Sequence, residues 1–282
     1  MKSYILALMA AVAAIVCTPA EAAPQRLKGS GKLITKEQPA PTNYRGISTS
    51  RGVRVELVAD QGQPMVIEAD DNVMKYVVTE VKGGVLVVTI DEDIRTISSV
   101  NVTVTIPTDG KLSALKGSSG SQIHSTVKIQ SQKIALSVSS AAKIEASISA
   151  DEWCECDLSS AGQIVGEIAT RSCSIDASSA GYFEATIAAQ ECDVDASSAA
   201  QITLKGAALN CEVDLSSAAS LRAKNFAVQE YDIEVSSGAE AKILCLDKLD
   251  AEASSGGDIR YAGSCKSVTT KRSSGGSIKA IE

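Results

Sequence analysis

Polar and apolar residues alternate on both sides of a short Ser-Ser-Ala or Ser-Ser-Gly segment that returns along the chain. The segment occurs nine times, with successive gaps of 21, 20, 19, 19, 19, 20, 18 and 19 residues. Its copies begin at Ser118, Ser139, Ser159, Ser178, Ser197, Ser216, Ser236, Ser254 and Ser273. A short period of this kind predicts a solenoid, in which each repeat buries its apolar side chains against its neighbours.

A strand is predicted before each segment. The fifth residue before the segment is mainly apolar in successive copies, which read Ile134, Cys154, Cys173, Cys192, Cys211, Tyr231, Leu249 and Val268. The third residue and the last residue before the segment are also mainly apolar, whereas the two positions between them are mainly acidic. This period of two predicts a strand with one buried face, since a helix would need spacings of three and four.

A second strand is predicted after each segment. Five residues after the first Ser stand Ile123, Ile144, Ile164, Phe183, Ile202, Leu221, Ala241, Ile259 and Ile278. Nine residues after it stand Val127, Ile148, Ile168 and Ile187. Equivalent strands of successive coils run in the same direction, so the fold class is all-β: a parallel β-helix of about nine coils of ~19 residues. Right-handed coiling is preferred, because crossovers between parallel strands are nearly always right-handed.

Small residues at each corner let the chain bend sharply while coils stack about 4.8 Å apart. Glycine accepts a positive φ, and serine side chains bond readily to nearby backbone groups. We also expect a ladder of serines from coil to coil. A nucleophilic serine would need a positioned base, and the chain contains a single histidine, His124. The serine corners therefore indicate turn chemistry, and we assign no catalytic residue.

Residues 1–23 have the pattern of an export signal. Lys2 is followed by an apolar run up to Cys17, and Ala20-Glu21-Ala22 fits a small-x-small cleavage site. The pattern predicts an exported protein that is located in the periplasm, at the cell surface or outside the cell. A lipid-modified Cys17 is the alternative, although Val16 is bulkier than the usual residue before a lipidated cysteine.

Residues 24–110 are predicted to form an extended, proline-containing leader and a β-rich capping segment, and residues 111–282 the β-helix repeats. Strands are expected at residues 51–59, 65–68, 76–81 and 85–90, the last two forming a hairpin around Lys82-Gly83-Gly84. A further strand at residues 100–106 is expected to end at Pro107. The segment is either an antiparallel module or a set of irregular first coils, and it would cover the N-terminal end of the stack. The opposite end is predicted to fray or to self-associate end to end.

The segment Val78-Thr79-Glu80-Val81-Lys82-Gly83-Gly84, preceded by Asp70-Asp71-Asn72 and followed by the Ser-Ser corners, resembles the auto-transporter adhesin, head GIN domain family. The resemblance extends over nearly all of the chain after residue 23. It implies a secreted protein of a kind common in Bacteroidetes, a β-helix related in shape to pectin-lyase-like folds, and no catalytic residues.

The acidic positions before the corners are the first candidate site. In the predicted stack, one column holds Asp157, Asp176, Asp195, Asp214, Glu234 and Glu252, and a parallel column holds Glu155, Asp193, Glu212, Asp232 and Asp250. Like charges that are direct neighbours in a sheet repel by a few tenths to about 1 kcal/mol per pair. Hydration is one compensation. Weak Ca²⁺ binding by Asp157, Asp176, Asp195 and Asp214 is the other, because hard cations take carboxylate oxygens.

The cysteines are the second candidate. Seven follow Cys17, and four of these, Cys154, Cys173, Cys192 and Cys211, form one inward column. A straight column is not the tetrahedral arrangement that zinc prefers, so the favoured interpretation is that these residues act as small buried apolar side chains. Disulfides between neighbouring coils remain open, because export favours oxidation, but in-register Cβ atoms are somewhat too far apart.

The formal net charge of −7 and the lack of a dominant basic stripe exclude nucleic acid as an expected partner. A later outward column, Arg222, Lys242, Arg260 and Lys279, is interpreted as a solvated edge. We expect a non-enzymatic adhesion-type protein that presents flat faces to a glycan or a cell-surface protein. A structural envelope component is the alternative. A polysaccharide lyase or hydrolase is the third possibility, but the carboxylates are equally spaced on every coil, so their spacing does not identify one pair as catalytic.

Overall fold

The structure is a computed structural model that describes residues 26–281; the predicted export signal lies outside these residues. The described chain is almost entirely β, with a single turn of 3₁₀ helix at Met74–Tyr76. Nine strands precede the repeats: β1 Arg26–Lys28, β2 Leu33–Gln38, β3 Gly46–Thr49, β4 Arg54–Ala59, β5 Met65–Asp70, β6 Val77–Lys82, β7 Val85–Ile90, β8 Thr96–Ser98 and β9 Val102–Thr108. Among the described residues, no helix has the length and apolar character needed to cross a membrane.

The repeats form a parallel β-solenoid of nine coils, as the sequence predicts. Their strands are β10 Ala114–Gly117, β11 Gln122–Ser125, β12 Ile129–Val138, β13 Lys143–Leu158, β14 Gln163–Ala169, β15 Ser172–Ala177, β16 Tyr182–Ala188, β17 Glu191–Ala196, β18 Gln201–Leu215, β19 Ser220–Val235, β20 Glu240–Ala253, β21 Asp258–Ala262, β22 Ser267–Arg272 and β23 Ser277–Ala280. We call the stacked segments before the Ser-Ser corners the pre-corner sheet and those after them the post-corner sheet. The long strands, such as β13, run from one sheet into the other.

The register confirms the predicted columns. In the pre-corner sheet Cys154 pairs with Cys173, Cys173 with Cys192, and Cys192 with Cys211. In the post-corner sheet Ile164 pairs with Phe183 and Phe183 with Ile202. These side chains are buried, so one continuous apolar core fills the space between the two sheets along the stack. One predicted member was wrong: Ile148 pairs with Ile129, not with Val127, because the first coil is two residues longer at this point.

Each Ser-Ser corner is a tight turn in which two successive residues are left-handed. Ser198 has φ 52° and Ala199 has φ 62°, and the N–H of Ala200 donates to the carbonyl of Ser197 at 3.1 Å. The coil-to-coil ladder that we expected from serines is made by backbone groups. In it the N–H of Ala199 donates to the carbonyl of Ser217 at 3.0 Å, and equivalent bonds link the corners from Gly52 to Gly238. The left-handed turn points the backbone N–H and carbonyl groups of each corner along the stack. Each corner from Gly52 to Gly238 therefore has the same turn geometry and bonds to the corner of the next coil.

The N-terminal segment combines both predicted arrangements. Strands β3 and β4, joined by the corner at residues 50–53, form a regular coil directly below β10 and β11. Strands β7 and β9 then form a further level below β3 and β4, although they come later in the chain. Strand β6 pairs antiparallel with β7, and β5 with β9, so antiparallel strands cover this end of the stack. The solenoid therefore begins before residue 111.

One prediction for this segment was incomplete and another was wrong in detail. The extended leader contains two paired strands: β1 pairs with β8, and β2 pairs antiparallel with β5. Pro107 does not end its strand, because β9 continues to Thr108 and stays paired with β4. The pairing of β9 with β5 ends at Thr105, so the missing N–H of Pro107 costs no ladder hydrogen bond there. The Lys82-Gly83-Gly84 hairpin is confirmed, with both glycines left-handed.

The last coil is less well buried than the others. All six residues of β22 are exposed, and among residues 26–281 this strand pairs only with β20. Val268, which continues the apolar column of Leu249, is 41% exposed, and Thr270 and Arg272 occupy the two other inward positions. The coil is held mainly by its backbone pairing and by Ile278, which is 5% exposed.

Candidate functional site: an acidic stripe on the pre-corner sheet

The structure brings the predicted acidic residues together on the outer surface of the pre-corner sheet. Asp157 pairs with Asp176, Asp176 with Asp195, and Asp195 with Asp214, each on the next coil. We define the acidic stripe as the following residues: Asp157, Asp176, Asp195, Asp214, Glu234 and Glu252 in one column, and Glu155, Asp193, Glu212, Asp232 and Asp250 in the other. The strand alternation forces all of them outward, because the residues between them fill the core.

Few cations neutralise this stripe. Lys271 lies 3.5 Å from Glu252 in an ion pair at one end, and the charge of Lys116 acts on Asp157 at the other. Along residues 26–281, no ion pair involves the middle carboxylates Asp176, Asp195 or Asp214. Cations therefore flank the stripe, and its centre is a continuous field of negative charge.

Two shallow hollows lie on the stripe. One, of about 210 Å³, is lined by Asp176, Asp195 and Asp214 together with Ser197 and Ser216 of the adjacent corners. The other, of about 270 Å³, lies between the two columns and is lined by Asp193, Asp195, Glu212, Val213, Asp214, Asp232 and Glu234. Both are open to solvent, so they offer carboxylate oxygens and corner hydroxyls to a partner that approaches from outside.

Partial burial and neighbouring negative charge raise the pKa of two carboxylates of the stripe, Asp157 and Asp195. Partial burial raises the pKa of Asp195, and the charges of Asp193, Asp214, Asp176 and Glu212 raise it further. Partial burial, and then the charge of Asp176, likewise raises the pKa of Asp157, against the opposing effect of Lys116. Ionised carboxylates that are held next to each other without counter-ions favour the binding of positive charge.

The arrangement bears on the expected Ca²⁺ site at Asp157, Asp176, Asp195 and Asp214. Within residues 26–281, no group of three or more His, Cys, Asp or Glu side chains is arranged to hold one metal ion together. A straight column gives a cation one or two carboxylates at a time, whereas a tight calcium site needs six to eight oxygen ligands. Calcium binding here stays a prediction, and the geometry limits it to partly hydrated ions that bridge neighbouring coils.

Replacing Asp195 by asparagine is expected to stabilise the protein at neutral pH. The folded-state pKa of Asp195 is raised above 3.8, so its stabilising contribution is present below that pH and is lost as pH rises through the folded pKa. Asp195→Asn should therefore raise the free energy of unfolding at pH 7 by a few tenths to about 1 kcal/mol, and have no such effect at pH 3. Urea unfolding at both pH values measures this difference.

Asp71 provides the control for that experiment. Its pKa is lowered, first by a hydrogen bond from Ser30 and also by the charge of Lys32. Asp71→Asn should therefore destabilise the protein at pH 7 and not at pH 3, the opposite direction from Asp195→Asn. Destabilisation by Asp195→Asn at pH 7 would contradict the proposed repulsion within the stripe.

The cysteine column lies in the core, as predicted. Cys154, Cys173, Cys192 and Cys211 are all at most 3% exposed, and Cys156 lies beside them with its sulfur 3.8 Å from that of Cys154. Hydrogen bonds between neighbouring thiols raise the pKa of Cys173 and of Cys211 and lower that of Cys154 and of Cys192, so the shifts alternate along the column. Burial keeps external reagents and metal ions away from these thiols, so the column functions as part of the apolar core.

The predicted basic column is also present on the post-corner sheet, where Arg222, Lys242, Arg260 and Lys279 pair in register. Arg260 is paired with Asp258 at 2.8 Å. The molecule therefore carries a negative surface on one sheet and a shorter positive surface on the other.

Sequence reasoning missed a cleft of about 430 Å³ near the first corner. It is lined by Arg51, Arg95, Ile97 and Val100, with hydroxyl groups from three serines, Ser98, Ser99 and Ser119. Arg51 is left-handed and its side chain donates to the carbonyl of Ile94. Ser50-Arg51-Gly52 occupies the same turn as a Ser-Ser-Gly segment, so a search that allowed one substitution in the repeat would have found this corner.

The stacked coils and the outward charge columns define a β-solenoid repeat protein with flat, charged outer faces. The chain belongs to the family described as putative auto-transporter adhesin, head GIN domain, whose model matches residues 43–167 and 154–265. This membership agrees with the resemblance found in the sequence. The family name describes binding at a cell surface rather than catalysis, which is consistent with a non-enzymatic, exported or surface protein.

Solved structures share the fold. A putative adhesin of Parabacteroides merdae has a TM-score of 0.68 at 17% identity, with 91% of this chain and 99% of that chain covered. A putative adhesin of Parabacteroides distasonis has a TM-score of 0.67 at 19% identity, with 91% and 100% covered. A putative lipid binding protein of Parabacteroides distasonis has a TM-score of 0.64 at 14% identity, with 91% and 100% covered. No curated protein sequence matches the chain.

Proposed function

We propose that the chain is an exported, non-enzymatic binding protein whose acidic stripe contacts a glycan or a cell-surface protein. The observation that carries the proposal is the stacking of outward carboxylates on six successive coils, from Asp157 to Glu252, of which the middle three, Asp176, Asp195 and Asp214, form no ion pair with any residue of 26–281. Each neighbouring pair of these carboxylates costs folding free energy. A use in binding explains why such a surface is kept. The adhesin family supports the same assignment.

The geometry suits recognition of an extended partner. The carboxylates repeat once per coil along a rigid sheet, so a chain that lies along the stack meets the same chemistry at each level. Groups on such a partner can bind in two ways. Ammonium groups of amino sugars or lysines pair with the carboxylates directly, and acidic sugars bind through bridging Ca²⁺. Both use the same carboxylates, so one set of substitutions tests both.

The test is a binding assay with the triple variant Asp176→Asn, Asp195→Asn and Asp214→Asn. Its affinity for whole cells, or for the glycans that the unsubstituted protein binds on an array, should fall by about tenfold or more. This corresponds to a loss of about 1.4 kcal/mol or more of binding free energy. The fold is expected to be unchanged, because these three side chains are exposed. Circular dichroism would verify this. Equal binding by the variant and the unsubstituted protein would refute the role of the stripe.

A matched control removes the same charge elsewhere. Glu37→Gln, Glu68→Gln and Glu80→Gln also remove three exposed carboxylates, but from the N-terminal strands β2, β5 and β6. This triple variant should bind as the unsubstituted protein does. Equal losses in both variants would show that net charge, and not the stripe, controls binding.

The calcium proposal has its own measurement. Millimolar Ca²⁺ should raise the melting temperature of the unsubstituted protein more than sodium chloride of equal ionic strength does, because a divalent ion can bridge two coils. The triple Asn variant should not show this excess. An identical response to both salts would remove Ca²⁺ from the proposal while leaving direct binding of cationic groups intact.

A structural role through end-to-end association is the second function that we propose. It is favoured by β22, which is exposed along its whole length, pairs on one side only, and leaves Val268 41% exposed. Unpaired strand edges of this kind readily accept another strand. Sedimentation over a wide concentration range should show reversible association that Val268→Lys weakens. A concentration-independent monomer would refute this second function.

A further inference from the structure

The loop between β21 and β22 stacks directly on the preceding coil. Ser264 Oγ donates to the carbonyl of Leu246 at 3.3 Å, and Lys266 N–H donates to the carbonyl of Asp247 at 2.7 Å. Lys266 also forms an ion pair with Asp247 at 2.9 Å. The residue between Ser264 and Lys266 is Cys265, so its position is fixed on both sides.

Cys265 faces the second cysteine of this region. Its sulfur donates to the backbone carbonyl of Cys245 at 3.4 Å, so the two cysteines are direct neighbours on successive coils. Cys245 is fully buried, and its sulfur lies 3.2 Å from the carbonyl of Lys248. Neither residue belongs to the column formed by Cys173, Cys192 and Cys211.

The two groups of cysteines differ in ways that decide their reactivity. The column cysteines lie in register inside paired strands, where Cβ atoms stay about 4.8 Å apart, more than a disulfide accepts. Cys265 lies in a loop outside any strand, so its Cβ can approach its neighbour. It is also partly exposed, whereas the column cysteines are buried. An external oxidant can therefore reach Cys265 and cannot reach the column.

We propose that Cys245 and Cys265 form a disulfide by exchange with a low-molecular-weight disulfide or a disulfide-bearing oxidoreductase. The Cys265 thiolate attacks one sulfur of the oxidant, forms a mixed disulfide and releases the first thiolate. The Cys245 thiolate then attacks the Cys265 sulfur and releases the second thiolate. The two cysteines lose two protons and two electrons in total, and the oxidant's disulfide is reduced to two thiols.

The bond would fasten the least buried part of the solenoid. It links the loop that leads into the exposed strand β22 to the core of the preceding coil at Cys245. Cross-linking restricts the open forms of the chain more than the closed form. Oxidation is therefore expected to protect β22 against local unfolding, which the sequence predicts for this end of the stack.

The second step should be slow at neutral pH. Burial, and then the hydrogen bond with the Cys265 thiol, raise the pKa of Cys245 to about 12. Because only the thiolate reacts, the rate of ring closure should rise about tenfold per pH unit between pH 7 and pH 9. A mixed disulfide at Cys265 should accordingly be seen first and should then disappear.

The experiment treats the folded, reduced chain with oxidised glutathione and follows intact mass and peptide maps over time. We expect a transient glutathione adduct on Cys265, then a species that has lost two hydrogen atoms and whose map joins the Cys245 and Cys265 peptides. The column cysteines should stay unmodified. Amides of β22 should exchange more slowly with deuterium in the oxidised form.

Two variants keep the test decisive. Cys265→Ser should form neither adduct nor cross-link, and Cys245→Ala should keep glutathione on Cys265 permanently. Because Cys265 is partly exposed, Cys265→Ser is expected to fold even if Cys245→Ala does not. A permanent glutathione adduct on the unsubstituted chain, no reaction at Cys265, or a cross-link within the column would each overturn the proposal. The assay uses no binding partner, so its outcome is independent of the function of the acidic stripe.

Discussion

Replacing Ala199 by proline is expected to lower the free energy of unfolding by about 3 kcal/mol or more. Ala199 has φ 62°, whereas the proline ring fixes φ near −65°. Proline also lacks the N–H that Ala199 donates to the carbonyl of Ser217 at 3.0 Å, so the corner ladder would be broken at that level. Urea unfolding followed by far-ultraviolet circular dichroism measures the loss.

Glycine at the same position should act in the opposite direction. A residue other than glycine is strained by roughly 1–2 kcal/mol in the left-handed conformation. Glycine removes this strain, but part of the gain is lost because glycine makes the unfolded chain more flexible. Ala199→Gly should therefore stabilise the protein by about 0.5–1 kcal/mol. The reverse substitution, Gly238→Ala, should destabilise it, through backbone strain alone, because a Cβ at Gly238 would meet no atom within 4 Å.

A control three residues earlier separates the corner from the strand. Ala196 lies in β17, is 5% exposed and is not left-handed. Ala196→Gly should cost about 0.5–1 kcal/mol, as glycine does inside a strand. If glycine destabilised positions 196 and 199 equally, the left-handed geometry of the corner would not be the source of the effect.

The repeats could be predicted well because two signals in the sequence agree there. The period of two identifies the buried side of each strand, and the spacing between corners sets which residues pair on neighbouring coils. Together they fixed the column of Cys173, Cys192 and Cys211 and the neighbouring column of Asp176, Asp195 and Asp214, which the structure confirms. In a solenoid each contact is with the next coil, so a local pattern determines most of the fold.

The N-terminal levels could not be predicted in the same way. Strands β7 and β9 lie below β3 and β4 although they follow them in sequence. Periodicity shows that these segments are strands, but it carries no information about the order in which strands from different parts of the chain stack. The corner at Arg51-Gly52 also lacks the repeat signal, because arginine replaces the second serine of the Ser-Ser-Gly segment.

The candidate site was also predictable only in part. The members of the acidic stripe follow from the register and were identified by residue. The hollow between the two columns and the lack of counter-ions along the middle of the stripe depend on side-chain positions, which a sequence pattern does not give. The Cys245–Cys265 contact was likewise hidden, because it depends on how a loop that lies outside the repeat folds onto the coil below it.

Truncating Phe183 is expected to destabilise the repeats strongly. Phe183 is fully buried, and it pairs with Ile164 on one coil and Ile202 on the next. Phe183→Ala removes an aromatic ring from a column that cannot close around the space, since the backbone ladders fix the distance between coils. The expected loss is about 3–5 kcal/mol, measured by urea unfolding.

The adjacent residue gives a matched control for the register. Tyr182 lies in the same strand, β16, but on its outer surface, where its hydroxyl donates to Glu184 Oε2 at 2.7 Å. Tyr182→Ala removes a ring of similar size and one partly exposed hydrogen bond, so the expected loss is only about 0.5–1.5 kcal/mol. A shift of one residue would exchange the inner and outer surfaces of the strand. If Tyr182→Ala cost as much as Phe183→Ala, the inward assignment of the Phe183 column, and the outward assignment of the neighbouring residues with it, would be wrong.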